Sequence, residues 1–306
     1  MNNKRSRLIC LHQSRAMTRP VLRKMLKSDP SLIQFFSYLP QDFIHYFGMK
    51  VERANQLYKD LHDPEAWTTI YNDSNHYTII TIDDPFYPLP LRAIQDPPIV
   101  LYAKGNLQLL SLFPSLSVVG TRYPSKEAKA KINYIIGPLI DQGWTIVSGM
   151  AKGIDGLAHE LAIVKHGYTI AVLGGGFDYV YPSEHKKLFE SLTQTQLVLT
   201  EYPPSVRPIR YHFPERNRII SGLSFGTIVI EAKAKSGSLI TVEQALDQGR
   251  EVYAVPGSPL STHVSGCHKM IQDGAKLVQN THDISEDWEA GKEKWCRFLA
   301  DFDIFS

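Results

Sequence analysis

The densest group of side chains able to do chemistry lies between Pro203 and Thr241, in the run PPSVRPIRYHFPERNRIISGLSFGTIVIEAKAKSGSLIT. Its first half sets Arg207, Arg210, Arg216 and Arg218 close together, with Tyr211, His212 and Phe213 among them and Glu215 as the one carboxylate opposing them. A guanidinium offers a planar fork of donors that matches phosphate oxygens, and aromatic rings stack on bases. The second half reads as a buried strand, Gly226 to Glu231, followed by Ser236-Gly237-Ser238 opening a helix. The first turn of a helix presents unpaired N–H groups that receive an anion. The chemistry on offer is recognition of a ligand rich in phosphate and carrying bases.

Further candidates stand where other short apolar runs end. They are Gly120-Thr121-Arg122, the stretch Ser148 to Asp155 with Lys152 inside it, Gly174-Gly175-Gly176, Glu201, Glu231 and Pro256-Gly257. Glycine at such ends lets backbone come close to a ligand. Ser238 caps the helix that it opens, and Thr241 follows one turn later on the same side. Arg122 and Lys152 add cations. Asp155 and His159 are spaced i, i+4 and read as a helix-stabilising pair rather than as acid and base. Glu201 and Glu231 end neighbouring strands, where each accepts loop N–H groups or pairs with an arginine. Neither GxGxxG nor GxxxxGK[ST] occurs, and there is no nucleophile elbow and no HExxH. No catalytic residue, metal ligand or cofactor is assigned.

The elements that must hold these residues are strands alternating with helices. Apolar runs at 116–119, 144–147, 168–173, 196–199, 227–230 and 251–255 are bounded by helical stretches. One such helix runs from Ser125 to Gln142, with Ser125 as its cap and Gly143 as its stop. Strands apolar throughout and separated by helices predict a parallel sheet covered on both faces. The fold class is therefore α/β, a doubly wound, mainly parallel sheet, with its ligand at the carboxyl ends of the strands. Residues 115–282 form this domain. Residues 1–70 carry apolar positions at helical spacing from Leu22 to Leu61 and form a small all-α domain, read as packing or as a helix-hairpin-helix module. Residues 71–114 link the two with edge strands at 77–82 and 99–102, and residues 283–306 form a helical tail.

Composition narrows the function. The 306 residues carry a net charge of +2, with 43% hydrophobic and 21% charged residues. Any nucleic-acid site is then a local patch and not the field of the whole chain. Cys10, Cys267 and Cys296 lie far apart and form no CxxC pair, which fits a reducing, cytoplasmic setting without disulfide or zinc. The apolar run near the N-terminus, Leu8 to Leu11, is too short for a secretory signal, and no run approaches the ~20 residues of a membrane span.

The ordered set Ser117-Val-Val-Gly-Thr-Arg122, Ser148-Gly-Met-Ala-Lys-Gly-Ile-Asp155, Ala171-Val-Leu-Gly-Gly-Gly176 with Tyr181-Pro182, Phe213-Pro-Glu-Arg-Asn-Arg-Ile-Ile220, Ser236-Gly-Ser-Leu-Ile-Thr241 and Val255-Pro-Gly257 with Gly274-Ala275 resembles the DprA family, also called Smf. The resemblance spans about Tyr77 to Val278. It implies an extended Rossmann-like domain that binds single-stranded DNA, forms a homodimer and passes the strand to the RecA recombinase during natural transformation and recombination. Single-strand-binding protein is a further implied partner, and no catalytic activity is implied. On the matching motifs, Arg122, Arg210, Phe213, Arg216 and Arg218 line a basic DNA pocket, joined by Lys152. Gly237, Ser238 and Thr241 form its phosphate rim, and a sterile-alpha-motif-like bundle corresponds to residues 1–70. The chain departs from the family pattern at His268, where Asn is more usual, and at Val242, where a small residue is. It also ends before a C-terminal winged-helix module would fit. The alternative reading is a Rossmann-like protein that binds or hydrolyses nucleotides, with Glu231 or Asp155 as the acid–base group. Against it, Gly174-Gly-Gly176 is followed by Phe-Asp and not by the Gly-Thr of the phosphoribohydrolases.

Overall fold

The computed structural model describes residues 3–303. Contacts divide the chain into two compact units. The first runs to Asp84 and takes back Ile99–Tyr102; the second holds Pro85–Pro98 and the chain from Ala103 onward.

Five α-helices build the described part of the first unit: α1 (Lys4–Gln13), α2 (Arg19–Ser28), α3 (Pro40–Phe47), α4 (Val51–His62) and α5 (Pro64–His76). Leu8, Leu11, Leu22, Met25, Phe35, Phe43, Leu57 and Leu61 are buried between them. Gly48, at φ 64°, ends α3 by donating to the carbonyls of Phe43 and Ile44. The run Asn72 to Asn75, which reads as a break in the sequence, lies inside α5. The run is largely exposed; Ile70 is the buried anchor of α5, and Gln13 of α1 donates to Asp73 at 2.8 Å, a tie that holds the helix through residues of weak helix preference. Strand β1 (Thr78–Thr81) follows, then the short helix α6 (Leu89–Arg92) of the second unit, then strand β2 (Val100–Gly105).

The rest of the second unit alternates as expected: β3 (Ser115–Val119), α7 (Ala128–Asp141), β4 (Thr145–Ser148), α8 (Ile154–Val164), β5 (Tyr168–Leu173), α9 (Lys186–Thr195), β6 (Leu197–Thr200), α10 (His212–Gly222), β7 (Gly226–Val229), α11 (Ser238–Asp247), β8 (Glu251–Ala254), α12 (Ser265–Gln272), β9 (Lys276–Leu277) and α13 (His282–Ala300). The strands stand in the order β6-β5-β4-β3-β7-β8-β9, and the registered pairs are parallel. The chain builds from β3 toward β6 and then crosses back to place β7 on the other side of β3. That reversal makes β3 and β7 the topological switch of an open sheet, where loops leave on opposite faces and open a crevice between them. The fold is an α/β, Rossmann-like, doubly wound parallel sheet.

Both faces are covered. On one, α7, α8 and α13 bury Ile132, Ile136, Ile154, Trp288 and Trp295 against Leu116, Val118, Ile146 and Ile228. On the other, α10 comes close to β3. Ser117 Oγ donates to the Ile220 carbonyl at 2.7 Å, and Ser115 Oγ to the Leu223 carbonyl at 2.8 Å. Small hydroxyl residues on the strand let the α10 backbone approach while their own hydroxyls are paired.

Three local expectations need correction. The first turn of α7 begins after Ser125, because the Ser125 hydroxyl is turned to Glu231 at 2.6 Å. Ser238 does not cap α11; Gly237 holds the cap position, and the Ser238 N–H reaches Ser236 Oγ at 3.4 Å. Glu201 and Glu231 do not end neighbouring strands, because β6 and β7 are separated by β5, β4 and β3.

Candidate nucleic-acid interface

At the carboxyl ends of β3, β4, β5 and β7 the second unit opens a cleft of about 890 Å³. Its wall includes Arg122 and Tyr123 after β3, Arg210, Phe213, Arg216 and Asn217 from α10 and the loop before it, and Lys233, Lys235, Gly237, Ser238 and Thr241 after β7. A smaller recess of about 140 Å³ shares Arg122, Tyr181, Phe213 and Arg216 with it and adds Lys152, Gly149 and Tyr179.

The geometry follows from how the loops are tied. The Thr121 N–H donates to the Glu231 carbonyl at 2.7 Å, joining the β3 and β7 loops across the switch. The segment before α10 is laid on the β5 loop: Gly176 N–H donates to the Val206 carbonyl at 2.7 Å and Asp178 N–H to the Pro204 carbonyl at 3.1 Å. A side chain at Gly176 would overlap the Pro203 and Pro204 carbonyls, and one at Gly174 would press on the Phe213 ring. The triple glycine therefore admits the protein's own Arg210 loop, where the sequence suggested approach to a ligand. Tyr202 stacks on His212 at 3.8 Å and its hydroxyl donates to Glu215 at 2.8 Å, which fixes the start of α10.

Arg122 is exposed, with its guanidinium 5.8 Å from the centre of the Phe213 ring. Tyr181 lies 5.4 Å from that ring, centre to centre. Tyr123, 77% exposed, stands beside them. A half-buried ring flanked by a cation and other exposed aromatics is a surface on which a flat base can stack.

Arg216 is the cleft's buried cation. Its Nη1 donates to the Val172 carbonyl at 2.7 Å and its Nε has no partner. The side chain passes so close to Gly149 that any Cβ there would overlap it. Burial lowers Arg216 to about 10, opposed by Asp155 and assisted by the like charge of Arg122. Asp155 is raised by its own burial, against the pull of Arg216 and the Gly149 N–H at 3.1 Å. It does not pair with His159. That ring is turned to Thr169 Oγ1 at 2.7 Å, so the i, i+4 pair of the sequence is two separate contacts.

Of the nine residues singled out in the sequence, Arg122, Arg210, Phe213, Arg216, Gly237, Ser238 and Thr241 line the cleft, and Lys152 lines the smaller recess. Lys152 is paired with Glu184. Arg218 lines neither space. Its Nη2 donates to both oxygens of the buried Glu201, at 2.7 and 2.8 Å, and its Nε donates to Asp96 at 3.0 Å. The reason is the pitch of α10: two residues apart is about 200° around a helix, so Arg216 and Arg218 leave on opposite sides. The sequence reading missed Lys233, Lys235, Asn217, Tyr123 and Tyr181. Lys233-Ala-Lys235 directly after a predicted strand was the available signal, because that is where the ligand of such a sheet binds.

Glu201 and Glu231 are both committed to neighbouring side chains. Glu231, fully buried, receives the Ser125 N–H at 2.8 Å, the Ser125 hydroxyl and Lys131 Nζ at 2.9 Å. Burial would raise it, but these donors outweigh that and hold it below the usual carboxylate range. Cys10, Cys267 and Cys296 are free thiols, and no group of metal-ligating side chains occurs among the described residues. No helix among them is long and apolar enough to cross a membrane.

The chain is similar to known proteins over most of its length. The chain is 43% identical over 270 residues to the DNA processing protein DprA of Bacillus subtilis, covering 87% of this chain and 89% of that protein. It is 48% identical over 209 residues to DprA of Streptococcus pneumoniae, covering 68% and 73%. The X-ray structure of the Streptococcus pneumoniae protein matches with a TM-score of 0.82 and 38% identity over 94% of this chain and 99% of that one. A structure of DprA from Helicobacter pylori, described for its single-stranded DNA binding mode, matches with a TM-score of 0.63 and 28% identity over 70% and 97%. The profile of one protein family covers residues 78–289, the span that holds the whole cleft, and the chain belongs to that family, DNA recombination-mediator protein A.

Proposed function

We propose that the cleft binds single-stranded DNA and that the protein is a non-catalytic recombination mediator, which shields the strand and delivers it to the RecA recombinase as a homodimer. The observation that carries this reading is the convergence of Arg122, Arg210, Arg216, Lys233 and Lys235 around the Phe213 ring and the opening of α11. The cations meet successive phosphates, and the α11 amides take one more. Phe213, Tyr123 and Tyr181 receive unpaired bases, whose faces are hidden in a duplex. Contacts to phosphates and to ring faces carry no base identity, so binding is indifferent to sequence. Single-stranded DNA binding by the Helicobacter pylori relative supports the same ligand here.

The nucleotide-hydrolase alternative needs an acid–base group at the cleft. Its two candidates are occupied: Glu231 is held by Ser125 and Lys131, and Asp155 lies buried beside Arg216 and the Gly149 amide. The test is a titration of oligonucleotides from 50 to 300 mM salt. Single strands bind more tightly than duplex of equal length, and affinity falls with salt at about 0.7 log units per log unit for each phosphate contacted. Equal affinity for single strand and duplex, or none for either, overturns the reading. Delivery is tested by RecA filament assembly on strands coated with single-strand-binding protein: the protein accelerates assembly, and an unchanged rate removes the mediator role while leaving the binding.

A further inference from the structure

We infer that Glu231 is a positioning residue for DNA binding, acting through Arg122 without touching the strand itself; this rests on the proposed single-strand site. Glu231 stands at the end of β7, on the far side of the switch from the loop that carries Arg122. Both its backbone and its side chain hold that loop. The Glu231 carbonyl accepts the Thr121 N–H at 2.7 Å. Its carboxylate accepts the Ser125 N–H at 2.8 Å and the Ser125 hydroxyl at 2.6 Å. Arg122 and Tyr123 lie between these two anchors. Lys131, in the second turn of α7, closes the clamp at 2.9 Å, and His263 Nδ1 lies 4.0 Å from the other oxygen.

The need for a clamp follows from the side chain it serves. Arg122 is exposed, and its guanidinium packs over Phe213. A long exposed side chain loses rotamer freedom when it grips a phosphate. Fixing the backbone on both sides lowers that loss and sets where the guanidinium can reach. The carboxylate is the right anchor because it accepts two donors from a single residue, Ser125, and so fixes the loop in direction as well as position. An amide in its place has one acceptor oxygen, and its NH2 faces the Ser125 donors and Lys131. The anion also meets the desolvation cost of its own burial through these same donors.

The test is a double-mutant cycle on single-strand affinity, with Glu231→Gln, Arg122→Ala and the double variant. Glu231→Gln weakens binding by about tenfold and makes the salt dependence shallower by about 0.7, the share of one phosphate contact. In the Arg122→Ala background the same change costs less than about twofold, because the residue it positions is gone. A loss that multiplies with that of Arg122→Ala, or an unchanged salt slope, assigns Glu231 a general structural role and overturns the inference. Ser125→Ala removes one of the two donors and keeps the protein testable if Glu231→Gln does not fold. It weakens binding in the same direction, again only when Arg122 is present, and additivity there also overturns the inference. Wild-type protein that binds no single strand sinks the proposed function itself; wild-type binding with an additive cycle sinks only the positioning role.

Discussion

The Arg122 guanidinium lies over the face of Phe213, 5.8 Å from the ring centre, and both line the smaller recess. They come from different elements: Arg122 from the loop after β3, Phe213 from the first turn of α10. Stacking a base on Phe213 in place of the arginine keeps the ring covered and frees the guanidinium for a phosphate. Phe213→Ala then loses about 1–3 kcal/mol of single-strand affinity, while Phe213→Trp keeps it. Arg122→Ala weakens binding and reduces the salt slope, whereas Phe213→Ala leaves the slope unchanged. Fluorescence titrations at three salt concentrations separate the two effects; a slope change in Phe213→Ala contradicts the stacking role.

Arg216 and Arg218 look equivalent in sequence and are not. Arg218 is a buried partner of Glu201, 7% against 4% exposed. Removing one member of a buried ion pair strands the other, at a cost of about 3–5 kcal/mol. Arg218→Met should lower the stability of the second unit by that amount in urea denaturation. Arg218→Met with Glu201→Leu should recover most of it. Single-strand affinity of the double variant stays near wild type, since neither residue lines the cleft. A double variant as unstable as the single one speaks against the pairing.

These contrasts explain what could be read from the chain before its structure. The parallel sheet was legible because its strands are apolar throughout and bounded by glycine, and the position of the ligand follows from that topology alone. Seven of the nine residues singled out line the main cleft for the same reason: strand ends and the α10 entry are where such a fold keeps its side chains free. Arg218 was misread because residue type and proximity in sequence do not say which side of a helix a residue takes. The capping role of Ser238 and the helical role of Ser125 were misread because a hydroxyl has several partners within reach, and only tertiary structure selects one. The triple glycine was read as open to ligand, yet the backbone it admits is the Arg210 loop.

Gly237 is a glycine of the opposite kind. A Cβ built there meets no atom within 4 Å, and its φ of −64° is one that any residue adopts. Neither packing nor backbone geometry requires glycine here, and under the proposed function the missing side chain leaves the first amides of α11 open to a phosphate. Gly237→Leu should change folding stability by less than about 1 kcal/mol. It should weaken single-strand binding by at least about tenfold, because the side chain covers the first amides of α11 where a phosphate would sit. Unchanged affinity would place the strand elsewhere.

Lys233 and Lys235 are exposed on the cleft wall after β7 and belong to no ion pair among the described residues. If each meets a phosphate, Lys233→Gln with Lys235→Gln should make the salt dependence shallower by about 1.4 log units per log unit, with affinity lost evenly across sequences. The control pair Lys292→Gln and Lys294→Gln lies on α13, away from the cleft lining, and leaves the slope as it was. A slope insensitive to the cleft lysines would restrict the phosphate path to the arginine side.

His159 makes stability depend on pH. It is fully buried, donates Nδ1–H to Thr169 Oγ1 and leaves Nε2 without a partner. The Thr169 hydroxyl is itself committed as donor to the Ile146 carbonyl at 2.7 Å, which sets the tautomer. Burial lowers this histidine from 6.5 to about 3, with His185 and Arg216 adding like charge. The unfolded chain takes up a proton near pH 6.5 and the folded one does not until about pH 3. Stability from this group is therefore complete above pH 6.5 and is lost as pH falls between those values, at up to about 1.4 kcal/mol per pH unit. His12, lowered to about 4, and His212, also lowered, act in the same direction. The contribution of His159 is thus the difference between wild type and His159→Gln, which cannot protonate but keeps a donor for Thr169. Urea denaturation at pH 7.5, 6.0 and 5.0 should give a wild-type stability that falls more steeply than the variant's. Parallel curves would mean that His159 opens to solvent and titrates in the folded state as it does in the unfolded one.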